Sequence, residues 1–222
     1  METKNPRNTI TFLSDRLAFP NVEEANEEGL LAVGGDLSPE RLLLAYQNGI
    51  FPWFNEDALI LWWSPDPRMV LFPEKIKISK SMRKVLREEK FRLTVNTCFR
   101  EVIEYCSTVT RDDQEGTWIT NEMRKAYENL YEHGIAKSYE VWDRDKLVGG
   151  LYGVDLGTIF CGESMFSLEP NASKFAFIKL AEELQAKNYR LIDCQLHTDH
   201  LASLGAEEIP RKEFTKLLKG QH

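Results

Sequence analysis

The stretch from Cys161 to Arg211 constrains the fold more than any other part of the chain. It predicts the end of a strand, then a helix from Ala172 to Lys187, a second strand from Arg190 to Gln195, and a short helix. The long helix carries apolar residues at helical spacing, and each strand is a short apolar run. Because a strand, helix and strand in succession favour a parallel pair, this unit predicts a sheet with a helix packed on it.

An antiparallel meander leads into this unit. Its predicted strands run from Ala136 to Trp142, from Lys146 to Val154 and from Thr158 to Phe166, with tight turns between them. Strands joined by tight turns pair antiparallel. Together these elements predict an α+β fold in which helices flank a central mixed sheet.

The N-terminal part of the chain is dense in aromatic residues. Residues 29–35 (GLLAVGG) predict a short strand and a turn, and Ser38 followed by Pro39 predicts a helix that ends at Gly49. The segments IFPWF (50–54) and LWWSP (61–65) form neither a clean strand nor a clean helix. They are either the core of a small N-terminal domain or the wall of an apolar ligand pocket.

Composition excludes several classes of protein. A net charge of -7 argues against nonspecific coating of nucleic acid, so any RNA contact needs a local basic patch. Four scattered cysteines without a CxxC pair predict neither a disulfide framework nor a zinc site. No apolar run is long enough to cross a membrane. We expect a cytoplasmic protein without a metal; the sequence is silent on oligomeric state, and a monomer is the simplest expectation.

Polar side chains stand at the C-terminal ends of the two predicted parallel strands. Residues two apart in a strand share a face, so Asp193 and Gln195 are expected side by side, ~7 Å apart. Glu163 lies near the end of the preceding strand, and the three side chains converge if the strands are neighbours. A carboxylate and an amide on one face can hold a polar substrate. Equally, Asp193 can cap the next helix and Glu163 can be a solvated strand end.

The helix after Ser79 presents cations along one stripe. They recur at i, i+3, i+4 and i+7: Lys80, Arg83, Lys84 and Arg87. Apolar residues on the opposite side predict one buried face. The stripe is either an RNA-binding surface or a solvated helix face that Glu88 and Glu89 partly neutralise.

A rival reading takes Cys194, His197, Asp199 and His200 as parts of a cysteine or metal hydrolase. Cys194 is expected on the strand face opposite to Asp193, and a strand-to-helix break separates the two histidines. The pattern therefore favours a buried thiol and histidines that cap or form hydrogen bonds.

Several longer blocks resemble one bacterial enzyme family. They span residues 29–211 and read GLLAVGGDLSPERLLLAYQNGIFPWF, WWSPDPRMVLFP, EGTWIT, EVWDRDKLVGGLYGV, GESMFS with the ASK helix after it, and LIDCQ followed by DHLASLGAEEIPR. Their rare combinations of aromatic residues and glycine resemble the leucyl/phenylalanyl-tRNA-protein transferase family.

This resemblance implies an aminoacyltransferase that moves Leu or Phe, and less well Met, from aminoacyl-tRNA to the N-terminal Arg or Lys of an acceptor protein, marking it for degradation by the N-end rule. It implies no cofactor. It also implies an N-acetyltransferase-like (GNAT-like) domain at residues 67–222 after a small N-terminal domain at residues 1–66. Acetyl-CoA is disfavoured because the turn at residues 167–173 lacks the glycines of a phosphate-binding loop.

The resemblance further implies the site residues. It implies that Asp193, Gln195 and Glu163 are functional. As a hypothesis about their separate roles, Gln195 would accept from or orient the attacking amine, Asp193 would polarise or fix the Gln195 amide, and Glu163 would orient the amino group of the transferred residue. The tRNA acceptor end would meet Lys80, Lys84 and Arg87. The side-chain pocket for the donor would be lined by Tyr46, Trp53, Trp118, Tyr127, Leu151 and Phe160. An acetyl-CoA-dependent acyltransferase and a protein that binds aminoacyl-tRNA without reacting remain the alternatives.

Overall fold

The computed structural model describes residues 10–108 and 119–220 and divides the chain into two compact units. The first unit comprises Met1–Arg68 together with Ile209–His222, and the second comprises Met69–Glu208. The predicted domains, 1–66 and 67–222, stay a prediction, and the observed grouping differs in where the segment after Glu208 belongs. Within the described residues, no helix has both the length and the apolar character needed to cross a membrane.

The elements follow one another in this order. The strands are β1 (Thr11–Leu13), β2 (Leu30–Gly34), β3 (Phe51–Pro52), β4 (Leu61–Trp63), β5 (Arg68–Leu71), β6 (Arg92–Val95), β7 (Ala136–Asp143), β8 (Lys146–Asp155), β9 (Ile159–Ser167), β10 (Leu191–Gln195) and β11 (Glu207–Ile209). The helices are α1 (Pro39–Gln47), α2 (Lys80–Arg87), α3 (Phe99–Thr108), α4 (Asn121–Glu132), α5 (Ala172–Ala186), α6 (Asp199–Ser203) and α7 (Arg211–Leu218).

The first unit is built on a small sheet in the order β1-β2-β4-β3. The predicted start of α1 is confirmed, because the Ser38 side chain accepts a hydrogen bond from the backbone of Arg41 and Pro39 is the first helical residue. Trp62 is fully buried, and its ring nitrogen donates to the carbonyl oxygen of Gly34 at 2.8 Å. The aromatic segment therefore supplies core to this unit.

The second unit is built on a sheet in the order β11-β5-β10-β9-β8-β7-β6. β7, β8 and β9 form the predicted antiparallel meander. β9 and β10 are parallel, and α5 connects them. The prediction of an α+β fold with helices flanking a mixed sheet is confirmed.

Helices bury apolar residues against this sheet. α5 packs on β7, β8 and β9, and its buried residues join Met82 of α2 in the main hydrophobic core. α3 packs on β7, β8 and β9 and buries apolar residues at helical spacing, including Phe99, Val102 and Ile103. Close packing of this kind holds the ends of β9 and β10 in fixed positions.

Candidate functional site

The two strands that carry the predicted transfer site are parallel neighbours. Cys161 of β9 lies opposite Asp193 of β10. Since parallel strands point the same way, the residues that follow Cys161 in β9 lie beside those that follow Asp193 in β10. The two strands are therefore neighbours, which is the condition on which the predicted convergence of Asp193, Gln195 and Glu163 depends.

Glu163 occupies a bulge in β9. On the side facing β8, Ser164 lies opposite Tyr152 and Gly162 lies opposite Gly153, so Glu163 has no counterpart. An extra residue bends a strand and re-aims the side chain, and such bulges are frequent next to active sites.

A second irregularity lies at the end of β10. Asp193 is opposite Val70 and Gln195 is opposite Met69, so Cys194 has no counterpart in β5. Gln195 also has a left-handed backbone with φ of 65°. The regular alternation of faces assumed in the prediction does not hold here, because Cys194 is an extra residue in the pairing of β10 with β5.

Asp193 holds this kink in place. Its side chain is buried, and its Oδ1 accepts a hydrogen bond from the backbone N–H of Gln195 at 3.0 Å. A carboxylate that accepts from the N–H two residues later is a common way to stabilise a turn. This contact is to the backbone of Gln195, and the prediction that Asp193 fixes the side-chain amide stays a prediction.

The carboxylate of Glu163 lies at the centre of the site. Its Oε1 accepts from Nε2 of Gln195 at 2.8 Å, and its Oε2 accepts from the hydroxyl of Tyr127 at 2.6 Å. In this hydrogen bond the amide nitrogen is the donor, so the Gln195 amide turns its NH₂ group to Glu163 and its oxygen away. Glu163 therefore contacts the side-chain amide of Gln195, a contact that the prediction does not include.

Tyr127 reaches the site from α4. It is fully buried, and its ring lies edge to face against Tyr152 with centroids 5.4 Å apart. The sequence prediction treated it as an apolar pocket wall and missed the hydroxyl contact. A signal was available, because a buried tyrosine on the inner face of a helix needs a hydrogen-bond partner.

The other predicted pocket residues lie in different places. Leu151 and Phe160 are buried in the main core of the second unit. Tyr46 and Trp53 belong to the first unit, where Tyr46 is buried and Trp53 is 38% exposed. Trp118 lies outside the described residues. Their role as a donor pocket stays a prediction.

The predicted basic stripe is exposed on α2. Ser79 caps the helix by accepting from the backbone of Met82, which is buried on the opposite side. All four cations are exposed: Lys80, Arg83, Lys84 and Arg87. Lys84 also lies 3.5 Å from Glu88, so part of the positive charge is neutralised as expected.

Among the residues of the rival hydrolase reading, Cys194 was expected to be buried, but it is half-buried, and its Sγ lies 3.8 Å from the backbone oxygen of Ile192. The ring nitrogens of His197 lie 3.5 Å from Asp199 and 3.7 Å from Glu208. Burial lowers the pKa of His200, and the charge of Lys174 lowers it further. In the part of the chain that the structure describes, no three His, Cys, Asp or Glu side chains are grouped to hold a metal ion.

Comparison with solved structures gives distant neighbours. One is a GCN5-related N-acetyltransferase from Kribbella flavida, with 8% identity and a TM-score of 0.37 over 76% of this chain and 59% of that one. A likeness of this size carries no argument about activity.

Comparisons of sequence are far closer. A family model described as leucyl/phenylalanyl-tRNA protein transferase matches residues 70–219, and the model of that family's N-terminal domain matches residues 35–66. A leucyl/phenylalanyl-tRNA–protein transferase of Flavobacterium johnsoniae is 60% identical over 210 residues, which cover 95% of this chain and 99% of the relative. Another, from Flavobacterium psychrophilum, is 58% identical over 208 residues, 94% of this chain and 99% of the relative. The chain therefore belongs to the leucyl/phenylalanyl-tRNA protein transferase family.

Proposed function

We propose that this chain transfers Leu or Phe, and less well Met, from aminoacyl-tRNA to the N-terminal Arg or Lys of an acceptor protein, marking that protein for degradation by the N-end rule. Family membership supports transfer from aminoacyl-tRNA to protein. The observation that carries the assignment to this site is the 2.8 Å hydrogen bond between Glu163, at the bulge within β9, and Gln195, at the end of the parallel strand β10.

The reaction needs little acid–base chemistry. The α-amino nitrogen of the acceptor bonds to the ester carbonyl carbon, the bond from that carbon to the ribose oxygen breaks, and the proton lost by the amine is balanced by one gained at the ribose oxygen. A free α-amino group has a pKa of about 7.7 to 8.0, so roughly a tenth is neutral at pH 7. Holding amine and ester together can supply ~7 to 11 kcal/mol.

Each polar residue has a separate task in this proposal. The amide oxygen of Gln195 points away from Glu163 and accepts a hydrogen bond from the attacking amine. Because both oxygens of Glu163 accept hydrogen bonds within the chain, we assign this carboxylate to holding the amide rather than to the donor's amino group. Asp193 keeps the backbone of Gln195 in its left-handed conformation.

Substrate binding is divided between a pocket and a basic helix. The donor side chain enters an apolar pocket with these candidate residues: Tyr46, Trp53, Trp118, Tyr127, Leu151 and Phe160. One methylene is worth only ~1 to 3 kcal/mol in such a pocket, so selection among apolar side chains is partial. The acceptor end of the tRNA meets the cations of α2.

A direct assay tests transfer. The protein is incubated with labelled leucyl-tRNA and a peptide that begins with Arg, and the label is expected to move to the peptide. The same peptide with an acetylated N-terminus is the control, because it lacks the attacking amine. Label that stays on the tRNA although the tRNA is bound would favour a binding protein and overturn the proposal.

Acetyl-CoA is the acyl donor of the alternative function, and it has to be distinguished from aminoacyl-tRNA. The backbone N–H of Ala172 donates to Glu169 at 3.1 Å, and that of Ser173 donates to the Ser167 hydroxyl at 3.3 Å. These amides at the start of α5 are already engaged, which disfavours a pyrophosphate there. Transfer of an acetyl group from acetyl-CoA to the Arg peptide, without transfer from leucyl-tRNA, would favour the acetyltransferase alternative.

A further inference from the structure

We infer that the hydroxyl of Tyr127 is a positioning group for the transfer reaction, an inference that rests on the role proposed for Gln195. The hydroxyl donates to one oxygen of Glu163 at 2.6 Å, and the other oxygen accepts from the Gln195 amide at 2.8 Å. Tyr127 thus acts on the attacking amine through Glu163 and Gln195 in turn and does not touch the reacting atoms itself.

The ring of Tyr127 is held firmly enough to aim its hydroxyl. It is fully buried on α4, and it packs edge to face on Tyr152 at 5.4 Å. Tyr152 packs in the same way on Phe99 of α3, with centroids 5.8 Å apart. Side chains that are locked by packing can hold reacting groups in a narrow range of positions. The hydroxyl is therefore a fixed point against which the Glu163 carboxylate is oriented.

The direction of the Gln195 amide is the quantity that this contact controls. A primary amide has an acceptor oxygen on one side and a donor NH₂ on the other, and only the oxygen can accept from an amine. Glu163 draws the NH₂ group towards itself and leaves the oxygen to the amine. Removing the Tyr127 hydroxyl takes away one of the hydrogen bonds that orient the carboxylate, so the carboxylate holds the Gln195 amide less firmly. Misplacing a reacting group by ~1 Å costs roughly 100-fold in rate.

Tyr127→Phe is the first test, since it removes the hydroxyl and keeps the ring. We expect kcat for leucine transfer to fall roughly 10- to 100-fold, while KM for leucyl-tRNA changes by less than about twofold. Tyr131→Phe is the matched control. Tyr131 lies one turn later on α4 and stacks on Phe99 at 4.5 Å, but its hydroxyl donates to the backbone oxygen of Asn96 at 2.9 Å. That variant should keep the wild-type kcat.

A double-mutant cycle tests whether Tyr127 acts through Glu163. Glu163→Gln also lowers kcat, because an amide at this position can donate as well as accept and so allows Gln195 to flip. In the double variant with Tyr127→Phe, we expect less than about a twofold further loss relative to Glu163→Gln. Thermal unfolding of each variant confirms that the fold is kept.

The outcomes separate this inference from the proposed function. The inference would be overturned if the losses in kcat from Tyr127→Phe and Glu163→Gln multiply in the double variant, since the two groups would then act independently. An unchanged kcat in Tyr127→Phe, with or without a rise in KM, would also overturn it and leave Tyr127 as pocket wall. If Gln195→Ala abolishes transfer in that case, the proposed function stands. If Gln195→Ala transfers normally, the proposed role of Gln195 fails and the inference fails with it.

Discussion

Glu163 and Gln195 form a 2.8 Å hydrogen bond across a parallel strand pair, although both lie where regular strand geometry is lost. Glu163 is the extra residue of a bulge, and Gln195 has a left-handed backbone. Neighbouring strands are about 4.8 Å apart, so residues at equal register can bring their side chains together. At these irregular positions, Glu163 lies within hydrogen-bond distance of both Gln195 and Tyr127. The chemistry of the site therefore depends on backbone features as much as on residue types.

The first prediction concerns the kink at Gln195. Asp193→Ala removes the oxygen that accepts the Gln195 N–H, so the left-handed backbone loses its support. We expect transfer to fall by roughly 100-fold or more, while the Kd for leucyl-tRNA stays within a few-fold of wild type. Asp193→Asn keeps one acceptor oxygen, so its transfer rate should lie between those of the wild type and the alanine variant. Single-turnover transfer and filter binding measure these quantities, and near-normal turnover of the alanine variant would contradict the role of Asp193.

The second prediction concerns the basic stripe of α2. Reversing Lys80 and Lys84 to Glu should raise the Kd for leucyl-tRNA at least about tenfold. The salt dependence of binding should also decrease, because each phosphate contact contributes roughly 0.7 to 0.9 to the slope of log K against log salt. Binding titrations at several salt concentrations measure both effects. Circular dichroism should be unchanged, because both side chains are exposed.

A matched control distinguishes a local contact from net charge. Lys212 and Lys216 on α7 are exposed, have the same spacing and undergo the same charge change when reversed to Glu. This variant should bind leucyl-tRNA like the wild type. Equal weakening in both double variants would show that only overall charge matters, and the stripe would not be the tRNA surface.

Local signals in the sequence predicted most of the elements. Ser38, Ser79 and Thr120 each cap the helix that follows, as their positions before apolar periodic segments indicate. The strands β7, β8 and β9 follow from alternating runs and tight turns. These features depend on neighbours within a few residues, so a single sequence contains the information.

Long-range features were not predictable in the same way. The bulge at Glu163 is defined by the pairing of β9 with β8, and nothing within β9 itself specifies an extra residue there. The grouping of α7 with the first unit depends on contacts such as that of Arg211 with the backbone oxygen of Ser64 at 2.7 Å. The residue types of the candidate site were identified from motifs, but which atoms meet required coordinates.

The third prediction concerns a buried carboxylate away from the site. Glu140 of β7 is fully buried and accepts hydrogen bonds from the hydroxyls of Thr94 at 2.6 Å, Thr97 at 2.9 Å and Ser138 at 2.6 Å, and from the Thr97 N–H at 3.2 Å. Glu140→Gln directs an NH₂ group at these donors and should lower the free energy of unfolding by roughly 1 to 3 kcal/mol. Urea denaturation measures the change.

Glu101→Gln is the control for this stability effect. Glu101 is exposed on α3, so the same substitution there should change the free energy of unfolding by less than about 0.5 kcal/mol. A Glu140 variant as stable as the Glu101 variant would show that the buried contacts do not stabilise the fold.

The fourth prediction is a pH dependence of stability that arises from His200. Burial lowers its pKa below the ordinary 6.5, with a further contribution from the charge of Lys174. Within the described ranges, its buried Nε2 has no hydrogen-bond partner. Below pH 6.5 the unfolded chain therefore binds a proton at this position more readily than the folded protein does, so acid shifts the equilibrium towards unfolding.

His200→Gln removes this titration and tests it. The stability of the wild type relative to the variant is expected to be constant above about pH 7.5 and to decrease as the pH falls through 6.5, because only the wild type is then penalised by protonation. Denaturant titrations between pH 8 and 5 give the two profiles. Parallel profiles for the wild type and His200→Gln would mean that His200 takes up its proton equally well in the folded and unfolded chain.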